Sequence, residues 1–171
     1  MMEIKEMRFP AGRENVLSLK AGDIISISGR VFCGRDAVLP KIAAMIEDGS
    51  IEDSGIDLNG GVIFHTAVSP AGIGPTSSNK YEIESTMEIL SRGGIVLHLG
   101  KGALKKETAE ALKREGAVYA VIPPVSALLG SRTITKRCVA FEELGMEALY
   151  ELEVKDFQAV VAIADGESIY V

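Results

Sequence analysis

Between residues 62 and 122 the sequence alternates three short apolar runs with two stretches of helical periodicity. The apolar runs, at 62–68, 95–99 and 117–122, contain few polar residues, as expected of strands buried on both faces of a sheet. When helices cover such a sheet and short loops join them to the strands, only a few sheet topologies are possible. The alternation therefore predicts a parallel βαβαβ unit, and an α/β fold for the chain.

The flanking regions predict further elements of the same fold. A half-buried strand is predicted over 24–32, and an irregular turn over 35–39 leads to a helix that begins near Pro40, because proline has no amide hydrogen to donate. The later elements are a strand over 133–141, a helical turn over 142–148, and strands over 159–163 and 168–171. The segment up to Lys20 is polar and carries no predicted element. Without a repeat or a linker, residues 1–171 are predicted to form a single domain.

Composition narrows the class of protein. Apolar residues make up 47% of the 171 and charged residues 25%, which excludes a disordered chain. The net charge of −6 argues against nucleic acid as the main partner, since phosphate binding needs a basic surface. No apolar run approaches the roughly 20 residues of a membrane-spanning helix. Cys33 and Cys138 are too few for a disulfide scaffold or a metal cluster. We therefore expect a cytoplasmic protein without a metal site of its own.

Residues 69–79 are predicted to form a loop between a buried strand and a helix. This loop carries the hydroxyls of Thr76, Ser77 and Ser78, and Lys80 follows in the first turn of the helix. A helix N-terminus presents unpaired amide hydrogens and the positive end of the helix dipole, which favour an anion. These groups can wrap a carboxylate or a phosphate, or they can form a capped turn that binds no ligand. The local sequence leaves both interpretations open.

Two more strand-to-helix turns carry charged residues. Arg35 and Asp36 follow the first long predicted strand, where an arginine can pair bidentately with a carboxylate. Lys101 follows the second apolar run, and it would lie beside Thr76 if the two preceding strands are neighbours. The alternatives are a surface arginine with Asp36 serving the turn, and a solvated lysine.

The histidines and cysteines show no pattern of a catalytic or metal site. His65 and His98 lie within apolar strands without a partner at metal-ligand spacing, so each is predicted to be a core histidine with one satisfied nitrogen. Cys33 borders the Arg35 turn and is predicted to be a small buried residue or a pocket wall. Cys138 is predicted to be structural.

The charged turns occur within three motifs, which are Gly34-Arg35-Asp36-Ala37, Gly74-Pro75-Thr76-Ser77-Ser78 and Gly100-Lys101-Gly102. In this order and spacing they resemble the β subunit of class I fumarate and tartrate dehydratases, which is equivalent to the C-terminal domain of single-chain class I fumarases. The tail is similar too, with Glu142-Glu143-Leu144-Gly145-Met146-Glu147-Ala148 and Asp165-Gly166-Glu167-Ser168-Ile169-Tyr170. The resemblance covers nearly the whole chain.

The resemblance implies a swivelling β/β/α domain and the reversible dehydration of a small hydroxy-dicarboxylate. It implies a separate α subunit that carries a 4Fe-4S cluster on three cysteines, with the active site between the subunits and no cofactor bound by this chain. A hetero-oligomer is implied, and a homodimer is open when the chain is alone. The implied substrate contacts are Arg35, Asp36, Thr76, Ser77, Ser78, Lys80 and Lys101. Catalytic roles are implied for Thr76, Arg35 and Lys101, with Thr76 as the base for the carbon-bound proton.

The chemistry of the residues agrees with that implication. Removing a proton beside a carboxylate builds negative charge on it, so cations and amide donors must surround that carboxylate. Arg35, Lys80 and Lys101 would supply the cations, and the cluster iron would act as a Lewis acid on the leaving hydroxyl. A threonine hydroxyl is a poor base unless it is strongly activated, so the role of Thr76 needs an activating neighbour.

Three positions depart from the family's pattern. Leu39 stands where members usually have a histidine, and Lys80 stands where they usually have an arginine, which exchanges a bidentate fork for a point charge. The run Pro123-Pro124-Val125 replaces a glycine-rich stretch. The alternative function is therefore a non-catalytic carboxylate-binding or regulatory domain on the same scaffold.

Overall fold

The computed structural model describes residues 3–69, 72–76, 80–122 and 133–170. Nine strands and four α-helices are found in these ranges. The strands are β1 (Ile4–Phe9), β2 (Ile24–Gly34), β3 (Val62–Ser69), β4 (Gly72–Thr76), β5 (Leu97–Gly100), β6 (Val118–Val121), β7 (Thr133–Ala140), β8 (Leu149–Ala164) and β9 (Glu167–Ser168). The helices are α1 (Arg13–Leu17), α2 (Leu39–Asp48), α3 (Lys80–Arg92) and α4 (Lys106–Glu115), with 3₁₀ segments at Ser50–Asp53 and Glu142–Glu147.

Five strands close into a barrel. The order β1-β2-β3-β5-β6-β8-β7 describes an open sheet, but β8 also pairs antiparallel with β2 and so joins the ring β2-β3-β5-β6-β8. Along β2 the partner on one edge changes from β1 to β3. Gly29 is the last residue of β2 that pairs with β1; it has a φ of 104°, and a Cβ there would collide with the carbonyl oxygen of Phe9. This close approach requires glycine.

The core has an inner and an outer layer. The inner cluster fills the barrel with side chains from all five strands, among them Ile27, Phe64 and Phe157. The outer clusters lie between the barrel wall and the helices. Their buried members include Ile63 and Leu90 in one cluster, and Met87, Leu112 and Tyr119 in another. Strand residues thus alternate between the barrel interior and the helix layer, as the pleat of a strand dictates.

The α/β prediction is confirmed, and so is the βαβαβ unit. β3, β5 and β6 are mutually parallel neighbours, and α3 and α4 connect them. Gly116 ends α4 with a φ of 72°. The swivelling motion and the single-domain organisation stay predictions.

Two expectations for the remaining elements are wrong, and a third is right but too short. The polar segment before Lys20 contains β1 and α1. The predicted loop over 69–79 contains β4, which pairs with β3. The strand predicted over 159–163 is only the end of β8, which is 16 residues long. The Pro123-Pro124-Val125 run lies outside the described residues. No described helix is long and apolar enough to cross a membrane.

Candidate functional site

The carboxyl ends of β2 and β5 lie on either side of β3 at one end of the barrel, which is called the sheet edge here. β2 and β3 are parallel with Gly34 opposite His65, and β5 is parallel to β3 on its other side over 62–64. Adjacent strands lie about 4.8 Å apart, so one intervening strand separates the ends of β2 and β5 by about 10 Å. Arg35 and Lys101 directly follow these two ends. Both residues therefore project from the same edge of the sheet.

β3 continues past this edge and pairs there with β4. The Cα of Thr66 lies opposite that of Thr76, so the backbone of Thr76 runs immediately beyond the ends of β2 and β5. Ser77 and Ser78 lie outside the described residues, and Lys80 is described only as the first residue of α3. The roles predicted for these groups stay predictions. The topology places the end of β4, which is called the Thr76 segment, at the same sheet edge as Arg35 and Lys101.

Arg35 lies in the turn between β2 and α2, with Asp36 half-buried beside it. Gly34 keeps the turn compact, because a Cβ there would lie 2.8 Å from Cγ1 of Val38. The Arg35 side chain is 27% exposed, and its Nε lies 3.8 Å from Oε1 of Glu147. Arg35 is therefore a partly buried arginine beside a carboxylate, and its role as a substrate contact stays a prediction. Sequence analysis missed Glu147, which comes from a distant part of the chain.

Lys101 is exposed in a turn that a buried tyrosine holds from below. The hydroxyl of Tyr119 donates a 2.9 Å hydrogen bond to the carbonyl oxygen of Gly102, which has a φ of 75°. Burial raises the pKa of Tyr119, with smaller contributions from Tyr170 and Glu84. The phenol therefore stays protonated and keeps its donor. The sequence shows Tyr119 only as one more apolar strand residue, and its partner could not be foreseen.

The two histidines form a buried hydrogen-bonded pair behind this edge. Nε2 of His65 lies 3.4 Å from Nδ1 of His98, and both side chains are fully buried. On the far side, Oγ of Ser91 lies 2.8 Å from Nε2 of His98 and donates its hydrogen to the carbonyl oxygen of Met87 at 2.7 Å. The prediction of core histidines is confirmed.

The direction of each hydrogen bond in this pair follows from the serine. Because the one hydroxyl hydrogen of Ser91 is used by Met87, Nε2 of His98 must be the donor to Ser91. Nδ1 of a neutral His98 is then an acceptor, and Nε2 of His65 donates to it. Burial, and then the neighbouring His65, holds the pKa of His98 well below its usual 6.5. A neutral, uniquely oriented His98 therefore stabilises the contact between α3, β5 and β3.

The cysteines lie in two different environments. Cys33 is fully buried in the barrel interior, and burial raises its pKa. Cys138 is exposed on β7. The prediction that Cys33 is buried is confirmed.

Comparison with known proteins shows the family of this chain. A family model described as "Fumarase C-terminus" matches residues 2–171. The chain belongs to this family. The match covers all but the first residue of the chain.

Individual relatives in the fumarase family fall into two groups by length. A protein of Methanocaldococcus jannaschii, provisionally named L(+)-tartrate dehydratase subunit beta, is 32% identical, over 92% of this chain and 87% of that protein. A protein of Geobacillus stearothermophilus, provisionally named class I fumarate hydratase, is 31% identical over 96% of this chain and 33% of that protein. The anaerobic class I fumarate hydratase of Escherichia coli is 30% identical over 82% and 27%. The chain thus spans about a third or less of these fumarate hydratases.

The iron–sulfur cluster expected in the fumarase family does not fit the residues of this chain. Such clusters are held by cysteine thiolates, whereas Cys33 is a buried thiol with a raised pKa and Cys138 lies on a different strand. Within the described ranges, no three histidine, cysteine, aspartate or glutamate side chains form a group that could hold a metal ion. We derive no step through a cluster on this chain.

The position where fumarase family members usually have a histidine is part of the core here. Leu39 is 2% exposed and packs in the outer cluster beneath α2 with Ile42 and Leu149. Its side chain offers neither charge nor a proton. The cations that directly follow the ends of β2 and β5 are therefore Arg35 and Lys101.

Proposed function

We propose that this chain is the β subunit of an iron–sulfur-dependent hydro-lyase that reversibly dehydrates a small hydroxy-dicarboxylate of the malate or tartrate type. The observation that carries the proposal is the convergence of Arg35 and Lys101 at the ends of β2 and β5. Two cations on strand ends about 10 Å apart, with one strand between them, suit the two ends of a four-carbon diacid.

The residues of this chain would bind and orient the substrate and stabilise its charge. Arg35 would hold one carboxylate through paired hydrogen bonds, and Lys101 would neutralise the charge that develops as the carbon-bound proton leaves. Thr76, whose backbone pairs with Thr66 beside both ends, would accept that proton. Ser77, Ser78 and Lys80 would complete the contacts. The iron–sulfur cluster would polarise the leaving hydroxyl.

A separate α subunit would carry the cluster and the other half of the site. The support is the length of the relatives: one is named a subunit beta, and the single-chain fumarate hydratases extend far beyond the region matched here. The sheet edge, where the apolar side chain of Met146 is 54% exposed next to the charged Glu147, would then face the α subunit. A cytoplasmic location remains part of the proposal.

The test is anaerobic co-expression of this chain with the α subunit of its own organism, followed by assays with malate, tartrate and methylated malate. We expect dehydration of at least one diacid by the complex and none by the separate chains. Binding of these diacids without any turnover would instead support the alternative, a carboxylate-binding or regulatory domain.

A further inference from the structure

The ladder between β2 and β8 carries Glu147 to Arg35. The two strands are antiparallel, and their last pair is Cys33 with Tyr150. Arg35 directly follows the end of β2, and Glu147 lies three residues before Tyr150. The end of the ladder thus brings the two chain segments together, although they are far apart in the sequence. Glu147 is therefore placed beside Arg35 by the closure of the barrel itself.

The backbone around Glu147 is fixed on both sides. Ala148 is 2% exposed, and its amide donates a 3.0 Å hydrogen bond to the carbonyl oxygen of Gly145. The hydroxyl of Tyr150 donates to the same oxygen at 3.2 Å. Leu149 is fully buried against the Gly34 turn. Glu147 thus projects from a segment that cannot shift without disturbing the core.

The guanidinium of Arg35 and the carboxylate of Glu147 form a partly buried ion pair. Nε of Arg35 lies 3.8 Å from Oε1 of Glu147, and both Nε and the second carboxylate oxygen, Oε2, are buried. Within the described part of the chain neither buried atom has a hydrogen-bond partner. Buried polar atoms without partners are costly, and a small movement of either side chain would bring the two groups within hydrogen-bond distance.

An arginine held at Nε can still bind a carboxylate at its other end. Guanidinium has donors on Nε and on two terminal amino groups, and a carboxylate can take two parallel hydrogen bonds from the terminal pair. Of the guanidinium nitrogens of Arg35, Nε is the buried one without a partner. The exposed part of the side chain then includes its terminal amino groups.

We propose that Glu147 is a positioning residue that holds the Nε edge of Arg35, so that its terminal amino groups present a preformed fork to a substrate carboxylate. The substrate role rests on the proposed function. The contact itself does not, because it belongs to this chain alone.

Kinetics of the complex with the α subunit separate positioning from simple charge. A negative charge near an anion site repels the substrate, so if Glu147 acted only through its charge, Glu147→Gln would lower KM. If Glu147 positions Arg35, the change in KM is in the opposite direction. We expect Glu147→Gln to raise KM for the diacid by about fivefold and to lower kcat by a smaller factor. Glu143→Gln is the matched control, because Glu143 is exposed in the same 3₁₀ segment. A lowered or unchanged KM in Glu147→Gln would overturn the proposal.

A double-mutant cycle shows whether Glu147 acts through Arg35. In an Arg35→Lys background the fork is already lost, so we expect Glu147→Gln to change kcat/KM by less than about twofold. An effect as large as in the wild-type background would mean that Glu147 acts independently, and the positioning role would be wrong.

Hydrogen exchange tests the contact without any activity. In the isolated chain, the Nε–H resonance of Arg35 is assigned by its absence in Arg35→Lys, and its exchange rate is measured by NMR. We expect Glu147→Gln to speed this exchange about fivefold and Glu143→Gln to leave it unchanged, with equal melting temperatures. Unchanged exchange in Glu147→Gln would overturn the proposal. An inactive wild-type complex with the expected exchange rates would overturn the proposed function and leave the contact in place.

Discussion

The hydroxyl of Tyr119 on β6 reaches across to β5 and donates a hydrogen bond to the carbonyl oxygen of Gly102, seventeen residues earlier in the chain. The turn that carries Lys101 is thereby tied to a side chain that is only 1% exposed. The position of an exposed lysine thus depends on a buried phenol.

Removing this hydroxyl should loosen the Lys101 turn. We expect Tyr119→Phe to lower the free energy of unfolding by about 1 kcal/mol, because a typical hydrogen bond contributes that much and the exposed Gly102 carbonyl can recover a water. In the complex, kcat/KM should fall about threefold as Lys101 loses its fixed position. Urea unfolding and steady-state kinetics measure the two effects. Tyr170→Phe, on the exposed tail, should change neither; equal effects of both variants would contradict this role.

Lys101 and Thr76 should matter for turnover and not for folding. Both lie at strand ends outside the barrel core, so Lys101→Ala and Thr76→Ala should each cost within about 1 kcal/mol of stability. Each should remove most of the activity of the complex. Lys101→Ala removes the cation that stabilises the developing charge, and Thr76→Ala removes the proton acceptor. Lys106→Ala, on the exposed start of α4, is the control for Lys101. Full turnover in both strand-end variants would refute the anion site.

Arg35 should dominate recognition of one substrate carboxylate. Losing a charge-assisted contact in a partly dry site costs roughly 2–4 kcal/mol, which is about 30- to 1000-fold in kcat/KM. Lysine keeps the charge but not the two parallel hydrogen bonds, so we expect Arg35→Lys to lower kcat/KM at least about tenfold with an unchanged melting temperature. Arg92→Lys, more than half exposed at the end of α3, is the matched control. Kinetics equal to wild type would return Arg35 to the role of a surface residue.

The histidine pair should make the chain sensitive to mild acid. His98 has a folded-state pKa well below 6.5, so the unfolded chain binds more protons than the folded chain in the range between the two values. Stability therefore rises with pH across that range, and it is lost as pH falls below about 6.5. We expect urea unfolding to show this loss between pH 7 and pH 5.

The matching variant is His98→Gln, which can still donate to Ser91 but does not titrate. It should be less stable than wild type at pH 7, and its stability should change less between pH 7 and pH 5. A pH dependence as steep as that of the wild type would assign the acid sensitivity to other groups.

The isolated chain should be folded, colourless and inactive. Its two cysteines occupy separate strands, and one of them is a buried thiol. Circular dichroism, absorbance near 400 nm and iron analysis of anaerobically purified protein test this expectation. Stoichiometric iron bound through Cys33 and Cys138 would contradict it.

Sequence patterns predicted the elements that are apolar on both faces and missed those that are not. β3, β5 and β6 are continuous apolar runs and were expected. The first part of β8 carries Glu151, Glu153 and Lys155 on its exposed side, and the left-handed Asp156 interrupts its register, so only its last residues look like a strand. β4 contains Gly74 and Pro75, which an edge strand tolerates, since among the described strands β4 pairs with β3 alone.

The candidate site was predictable where it depends on local sequence and not where it depends on strand order. Arg35 and Lys101 were singled out because each follows a strand, and a parallel arrangement brings such ends together. Glu147 and Tyr119 gave no such signal. Their partners lie far away in the chain and are reached only through the β2–β8 and β5–β6 pairings.

The pairing of β2 with β8 also has a consequence during synthesis. β2 leaves the ribosome before β8, and the edge that β8 will cover stays open until residues 150–160 have been added. During that interval its amides and carbonyls are free to pair with another nascent chain, which is the usual route from an uncovered strand edge to aggregation. Slow translation of the residues between β2 and β8 should therefore reduce the soluble yield of this protein, although β8 covers that edge in the folded chain.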